Sequence, residues 1–448
     1  MSRRFTHIRE LGAIVAIASV LLIMYLVLPV QQNAVHPKER VIEQLVDRTG
    51  PDSPILISAT VQPASSKTQM IFPKRSPIPR EGPEIRQVVF SKVHKAASST
   101  MQNIFFRFSL ARNLSVLLPK KLTSISEGAR YIHRNSVVPH PEGKQFYDIL
   151  CSHVLFDQEQ ISKFFPETAA RIAIVREPVK QALSALVYYF TVWDPTRALR
   201  KGCRRYKDDP INSFLRHPQH FYNQIYGPSA SYINNRMSVD LGFDLKDFEA
   251  SKRNTTKIQT FLRQVQAQFD LVLISDYFDE SLVLMRRTLR WSMKDIVYLQ
   301  INVKKKDKNS VWLKEPILNS EIRQRFRDWD VIDFQLYDHF LNIFLRTISK
   351  EPLFQEELKV FRAVQMDVKY FCLINKTAKS LIIPESAWND KFTISRHDCE
   401  LMAMEEIPMT SYMRSKQHTR YIDHLKKPSN TSSSQGRKRS NRGLGFRK

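Results

Sequence analysis

The pattern of apolar and polar positions changes character twice along the chain. Leu11–Val30 is an apolar stretch without a charge, preceded by Arg3, Arg4 and Arg9 and followed by no further Lys or Arg until Lys38. At about 1.5 Å per residue such a stretch matches a hydrocarbon core of roughly 30 Å, which predicts one membrane-spanning helix. The run exceeds a signal-peptide core and no clear small-x-small cleavage site follows, so it reads as an uncleaved anchor with its basic end in the cytoplasm. From Gln31 to Arg86 no apolar period is sustained and eight prolines occur, from Pro37 to Pro83, which predicts an extended stem.

At Gln87 the pattern changes again. Short apolar runs at Val88–Phe90, Tyr147–Cys151, Arg171–Val175 and Leu271–Ser275 read as buried strands. Between them, Thr100–Phe108, Lys180–Phe190 and Glu280–Leu289 carry apolar residues at helical spacing. Strand and helix in alternation predict an α/β fold with a central parallel sheet flanked by helices. The expected organisation is a cytoplasmic tail (1–10), an anchor (11–30), a stem (31–86), a globular domain (87–413) and a basic, disordered tail (414–448).

The 448 residues carry 69 Lys+Arg against 44 Asp+Glu, a net charge of +25, with 42% hydrophobic and 10% aromatic residues. That apolar content excludes a mainly disordered protein, and the charge calls for an anionic partner without naming it. Arg414–Lys448 has eleven basic residues against Asp423 alone, a net +10. The residues before Gln87 take +4, which leaves +11 for the domain and suits a compact, highly anionic ligand rather than a polymer. With the basic tail on the far side of a membrane and no recognisable nucleic-acid module, nucleic acid is not an expected partner. Beyond the anchor the compartment permits disulfides, and Cys151, Cys203, Cys372 and Cys399 predict two of unspecified pairing. Glycosylation acceptors stand at Asn113, Asn254, Asn375 and Asn430.

Two strand-turn-helix segments carry the candidate chemistry. In VVFSKVHKAASSTMQNIFFRF, Val88–Phe108, the turn offers Lys92, His94, Lys95, Ser98, Ser99 and Thr100. Unpaired N–H groups and partial positive charge at a helix start suit a phosphate or phosphosulfate. An ordinary serine-capped helix with solvated lysines would present the same residues. No glycine stands between Gly82 and Gly128, which disfavours a Walker-type nucleotide loop. In RIAIVREPVKQALSALVYYF, Arg171–Phe190, a strand ends at Arg176, Pro178 opens a helix, and Ser184 lies two turns along it. Arg176 and Ser184 could grip a second phosphate, or Arg176 could pair with Glu177.

KVHKAASST together with REPVKQALSALVYY resembles the paired 5′-phosphosulfate and 3′-phosphate motifs of Golgi sulfotransferases. The chain is most similar to the galactose 3-O-sulfotransferase family through FSKVHKAASSTMQNIFFRF, YDILCSHVLFD, MSVDLGFD and LVLISDYFDESLVLMRRTLRWSMKDIVYLQIN, in that order over Gln87–Asn302. It departs from the family at Ala96, usually Thr, and at Glu177, usually Asp. The resemblance implies a P-loop-like sulfotransferase fold and 3′-phosphoadenosine 5′-phosphosulfate as donor, without a metal. It implies transfer of a sulfuryl group to a sugar hydroxyl, most simply the 3-OH of galactose in a glycolipid or glycoprotein glycan. It further implies a single-pass type II protein of the Golgi membrane with a luminal catalytic domain, with a homodimer as one possible assembly.

By carry-over, Lys95 contacts the phosphosulfate and stabilises charge on the bridging oxygen, with Lys92 beside it in the same loop. Ser98, Ser99 and Thr100 hold the phosphate, and Arg176 and Ser184 the 3′-phosphate. Two histidines compete as general base, His153 after the strand Tyr147–Cys151 and His94 within the donor loop, with His153 preferred. A carboxylate among Asp276, Asp279 and Glu280 could orient substrate hydroxyls, but the preferred reading makes them acids at the start of a core helix over Tyr277–Trp291. The alternatives are a uronyl 2-O-sulfotransferase acting on glycosaminoglycan and a Golgi glycosyltransferase. For the latter, Asp328-Trp329-Asp330 matches an Asp-x-Asp metal signal but reads as part of an amphipathic helix with solvated acids.

Overall fold

The computed structural model describes residues 75, 78–126, 131–189, 210–221, 231–300 and 319–426. All fall within one compact unit, Ile71–Lys448. The expected anchor, most of the stem, Cys203 and Asn430 lie outside the described residues. Among the described residues no helix is long and apolar enough to cross a membrane.

Among the described residues eight strands occur: β1 (Val88–Ser91), β2 (Ser124–Ser126), β3 (Ile149–Leu150), β4 (His153–Val154), β5 (Ala170–Val175), β6 (Leu271–Ile274), β7 (Ser380–Ile383) and β8 (Phe392–Ser395). The central sheet has the order β3-β1-β5-β6 and every pairing is parallel, with Val89 opposite Leu150 on one side and Arg171 on the other. All four predicted strands are present. Val88, Val89, Phe90 and Ile172 to Val175 are buried on both faces, which is why these strands read as continuous apolar runs instead of alternating. The chain runs from β1 out to β3 and then returns past β1 to β5 and β6, so strand order reverses between β1 and β5. Ligands of open parallel sheets bind beyond the strand C-termini at such a reversal.

Ten helices matter to the site: α1 (Ser98–Arg112), α2 (Pro178–Tyr189), α3 (Arg236–Asp240), α4 (Thr255–Gln268), α5 (Phe278–Leu289), α6 (Ser320–Trp329), α7 (Val331–Lys350), α8 (Phe354–Lys369), α9 (Arg396–Ala403) and α10 (Glu406–Lys426). The three predicted helices appear as α1, α2 and α5. Helix α1 buries ten of its fifteen residues, polar Gln102 and Asn103 included, because it is covered from both sides. Phe105 packs on Phe90 at 5.0 Å, and Phe108 stacks on Trp291 at 3.7 Å. On its other side Asn103 Nδ2 donates to Leu401 O (2.8 Å) and Met404 O (3.2 Å), fixing the α9–α10 junction.

Several expectations need correction. Charge marked Arg414 onward as a disordered tail, yet α10 continues to Lys426. Met409, Thr410, Met413 and Gln417 are buried, and the Gln417 amide accepts from Val116 N (2.9 Å) and donates to Val116 O (3.0 Å). Of the described basic residues, Lys416 and Lys426 are exposed, whereas Arg414 donates to Leu122 O (2.8 Å) and Arg420 to Leu114 O (3.1 Å), contacts that net charge does not reveal. Of the two disulfides expected, one is seen, Cys372–Cys399, and Cys151 is a free, buried thiol in the sheet core. The strand expected over Tyr147–Cys151 narrows to Ile149–Leu150, and β4 follows it in a separate parallel pair with β2. Asp328 is at the surface as expected, hydrogen-bonded to Gln324 at 2.7 Å, but Asp330 is fully buried and accepts from Asn235 N. Asp279 and Glu280 do lie in the first turn of α5, whereas Asp276 lies before it and accepts from Glu177 N (2.8 Å) and Lys180 Nζ (2.7 Å). Asn113 and Asn254 are exposed at helix ends and Asn375 is half-buried.

Candidate active site

The turn between β1 and α1 forms without glycine. Lys95 and Ala97 both take left-handed backbone conformations, φ 61° each. Such positions cost non-glycine residues on the order of 1–3 kcal/mol and persist where surrounding structure enforces them. A turn of this kind directs backbone N–H groups to one side. Ala97 is the helix N-cap and supplies no side-chain cap, so the first N–H groups of α1 are left for an outside acceptor. Ser98 Oγ donates back to Val93 O at 2.6 Å and tightens the turn. Thr100 is buried in the first turn of α1 and donates its N–H to Ala97 O (3.1 Å). Arg176 Nη1, from the end of β5, donates to Lys95 O at 2.9 Å. The two candidate phosphate segments, whose contacting residues are 81 positions apart in the chain, therefore meet across the β1–β5 reversal. Glu177 does not pair with Arg176; it binds Arg323 at 2.6 Å. The Lys95 ammonium lies 3.9 Å from the centre of the Tyr188 ring of α2, on the same helix as the half-buried Ser184.

Both candidate bases sit beside this turn and stack on each other, ring centres 3.9 Å apart and 15° from parallel. His153 Nδ1 lies 3.0 Å from Lys92 O, which can only accept, so Nδ1 carries the proton. Its Nε2 then accepts from Lys92 Nζ at 3.1 Å. His94 Nδ1 lies 2.8 Å from Asp240 Oδ2, which also accepts from the His94 backbone N–H at 2.8 Å. Arg236 Nε approaches the same ring nitrogen at 3.2 Å, while its Nη2 pairs with Asp240 Oδ1 at 2.7 Å. The shorter, charge-assisted contact assigns the Nδ1 proton to the carboxylate. His94 Nε2 has no hydrogen bond among the described residues.

Electrostatics keeps both rings neutral. Burial, with help from Arg236, pushes His94 down to about 4 against the raising effect of Asp240. Burial and the neighbouring His94, Lys92 and Arg236 hold His153 well below the usual histidine range. Burial alone would raise Asp240, but Arg236 and His94 hold it below the ordinary carboxylate value.

Sequence reasoning missed Asp240, Arg236 and Glu406. Asp240 and Arg236 sit one turn apart on α3, whose start is clamped by α7. Asp333 accepts from Met237 N (2.9 Å) and Ser238 N (2.7 Å), and Asn235 Oδ1 accepts from Ile332 N (2.8 Å). The α3 exit needs Gly242, since a Cβ there would come within 2.6 Å of Phe156 O. The segment Met237–Asp244 does stand out in the sequence, but nothing local says that its first acid reaches back to His94. Among the described residues no group of three or more His, Cys, Asp or Glu could hold a metal ion.

The family model for galactose-3-O-sulfotransferase matches residues 53–387, three quarters of the chain. The chain belongs to the galactose-3-O-sulfotransferase family. Among its relatives, galactose-3-O-sulfotransferase 2 of Mus musculus is 30% identical over 366 residues, 75% of this chain and 86% of the relative. Galactose-3-O-sulfotransferase 2 of Sus scrofa is 32% identical over 67% of this chain and 72% of its own. Galactosylceramide sulfotransferase of Mus musculus is 30% identical over 64% of each. Within this family the turn after β1 and the end of β5 are the expected donor contacts, and the match extends well past both.

Proposed function

We propose that the protein transfers a sulfuryl group from 3′-phosphoadenosine 5′-phosphosulfate to the 3-OH of a galactose residue in a glycolipid or glycoprotein glycan. The observation that carries this reading is the meeting of the Lys95 turn, Arg176 and the His94–His153 pair at the strand-order reversal. The residues fit such a donor: an uncapped helix start, a left-handed turn and two cations face one region, and Arg176 is braced for a planar, two-pronged contact. When bound, the donor supplies the sulfuryl group and a phosphate that accepts the released electron pair.

The protein's share is positioning and charge. Lys95 and the α1 N-terminus stabilise negative charge developing at the bridging oxygen, with Ser98 and Thr100 shaping the turn and Ser99 on its rim. Arg176 and Ser184 hold the 3′-phosphate. His94 takes the galactose hydroxyl proton at Nε2, and Asp240 keeps the Nδ1 tautomer and stabilises the cation as it forms. His153 stacks against it with both ring nitrogens already engaged, which supports a supporting role in place of the base role first preferred for it. An anion at the turn opposes Arg236 and Lys92, so it raises the His94 proton affinity from its low resting value.

The protein acts as a single-pass type II protein of the Golgi membrane with its domain in the lumen, a reading supported by the charge-free Leu11–Val30 stretch and the Cys372–Cys399 disulfide. Donor-dependent transfer to an array of neutral and acidic glycans, with linkage analysis of the product, tests the activity. A 3-O-sulfated galactoside is expected; no sulfated galactoside from any acceptor refutes the reading. Protease protection of the domain in intact microsomes tests the topology.

A further inference from the structure

The donor turn faces a carboxylate that its own segment does not supply. Glu406 opens α10, and two contacts deliver it there, Asn103 to the α9–α10 junction and Gln417 to Val116. Its Oε1 lies 2.6 Å from Lys92 Nζ and its Oε2 accepts from Ser99 Oγ at 2.8 Å. The Lys92 side chain is 0% exposed, so this ammonium points inward, between Glu406 and His153 Nε2. The family model matches only residues 53–387, so the carboxylate enters from beyond the matched region.

We propose that Glu406 is a positioning residue for sulfuryl transfer: it holds the buried Lys92 ammonium against His153 Nε2, and so fixes the ring on which His94 stacks. The inference rests on the sulfotransferase reading above. A buried ammonium is costly without a counter-charge. Without the Glu406 carboxylate, Lys92 Nζ loses the partner that holds it against His153 Nε2, and the ring pair loses its fixed arrangement. The groups facing Lys92 are Glu406, His153, His94 and the Cys151 thiol. Those facing His153 are Lys92, His94, Arg236 and, at 3.9 Å, Glu406. Of these, Glu406 is the only anion touching Lys92, and Asp240 is already committed to His94 and Arg236.

The test uses the full-length chain with Glu406→Gln and Glu406→Asp, measuring kcat and donor KM, and calorimetric binding of 3′-phosphoadenosine 5′-phosphate. The Gln variant is expected to show kcat lowered at least about tenfold, with nucleotide affinity changed less than about threefold. The Asp variant recovers most of that kcat. An undiminished kcat in the Gln variant overturns the proposal, and a lower donor KM beside it would make Glu406 an obstacle in the donor site. If Glu406→Gln fails to fold, adding Lys92→Met, which removes the stranded charge, restores folding; no restoration overturns the pairing. Absence of product from the unsubstituted chain refutes the sulfotransferase reading instead, and the pairing is then decided by thermal unfolding of the Gln variant, whose deficit must disappear in the double variant.

Discussion

Two strand ends in one sheet build the candidate site by different means. The turn after β1 is compressed and charge-compensated: left-handed at Lys95 and Ala97, tied to Val93 O through Ser98, and faced by the Glu406 carboxylate. The turn after β5 is plain. Pro178 opens α2 with the backbone preset for a helix, Arg176 reaches across to Lys95 O, and Glu177 turns away to Arg323. The first turn stores strain and holds the proton-handling groups, whereas the second supplies a rigid cation. Chemistry should therefore fail on changes around the first turn, and binding on changes at the second.

Four measurements sharpen or break that division, taken from the largest effect down. His94→Ala should lower kcat roughly a hundred- to ten-thousand-fold while 3′-phosphoadenosine 5′-phosphate still binds, as for loss of a general base. A larger loss in His153→Ala than in His94→Ala would return the base role to His153. Asp240→Asn removes one charge-assisted hydrogen bond, about 1.5–3 kcal/mol, and should cost about ten- to a hundredfold in kcat. Arg236 is left without its carboxylate, so the unfolding temperature must be read alongside.

Arg176→Ala should raise donor KM by about ten- to a hundredfold with a much smaller change in kcat, and Arg176→Lys should recover only part, since the planar fork is lost. A kcat loss matching that of Asp240→Asn would erase the distinction between the turns. Ser184→Ala, one neutral hydroxyl, should raise donor KM by no more than about tenfold.

Stability gives an independent check. His94 and His153 are held neutral in the folded protein, His94 at about 4, whereas the unfolded chain protonates both near the ordinary histidine value. Between those values the unfolded state binds more protons, so their contribution is intact above about pH 6.5 and is lost as pH falls toward 4. The unfolding temperature should drop across that window, and His94→Gln should flatten the drop. An unchanged slope would place the acid sensitivity elsewhere.

Much of the site was legible because its parts are local. Val88–Phe90 followed by a polar turn and an apolar-periodic helix can hardly fold otherwise than as strand, turn and helix, and the segment ending in Arg176 is its counterpart. Glycine scarcity argued against a nucleotide-hydrolase loop, yet the turn adopts left-handed geometry at Lys95 and Ala97, since neighbours fixed by the sheet enforce what glycine would allow. Lys92 illustrates a limit. Among solvated neighbours it read as a donor contact, but just past β1 the chain turns its side chain inward to His153 and Glu406. Arg414–Lys426 illustrates another, since net charge conceals a helical face on which Met413 and Gln417 are buried.

The sequence by itself determined the parallel α/β architecture, the two strand-turn-helix segments of the candidate site and the family, because each rests on residues close together in the chain. Tertiary structure alone decided which proton each histidine carries, what holds Lys92, and that Asp240 and Glu406 belong to the centre. Those outcomes depend on contacts between residues as much as three hundred positions apart, such as Ser99 with Glu406. Burial then multiplies their electrostatic weight, and no local pattern records either the contact or the burial.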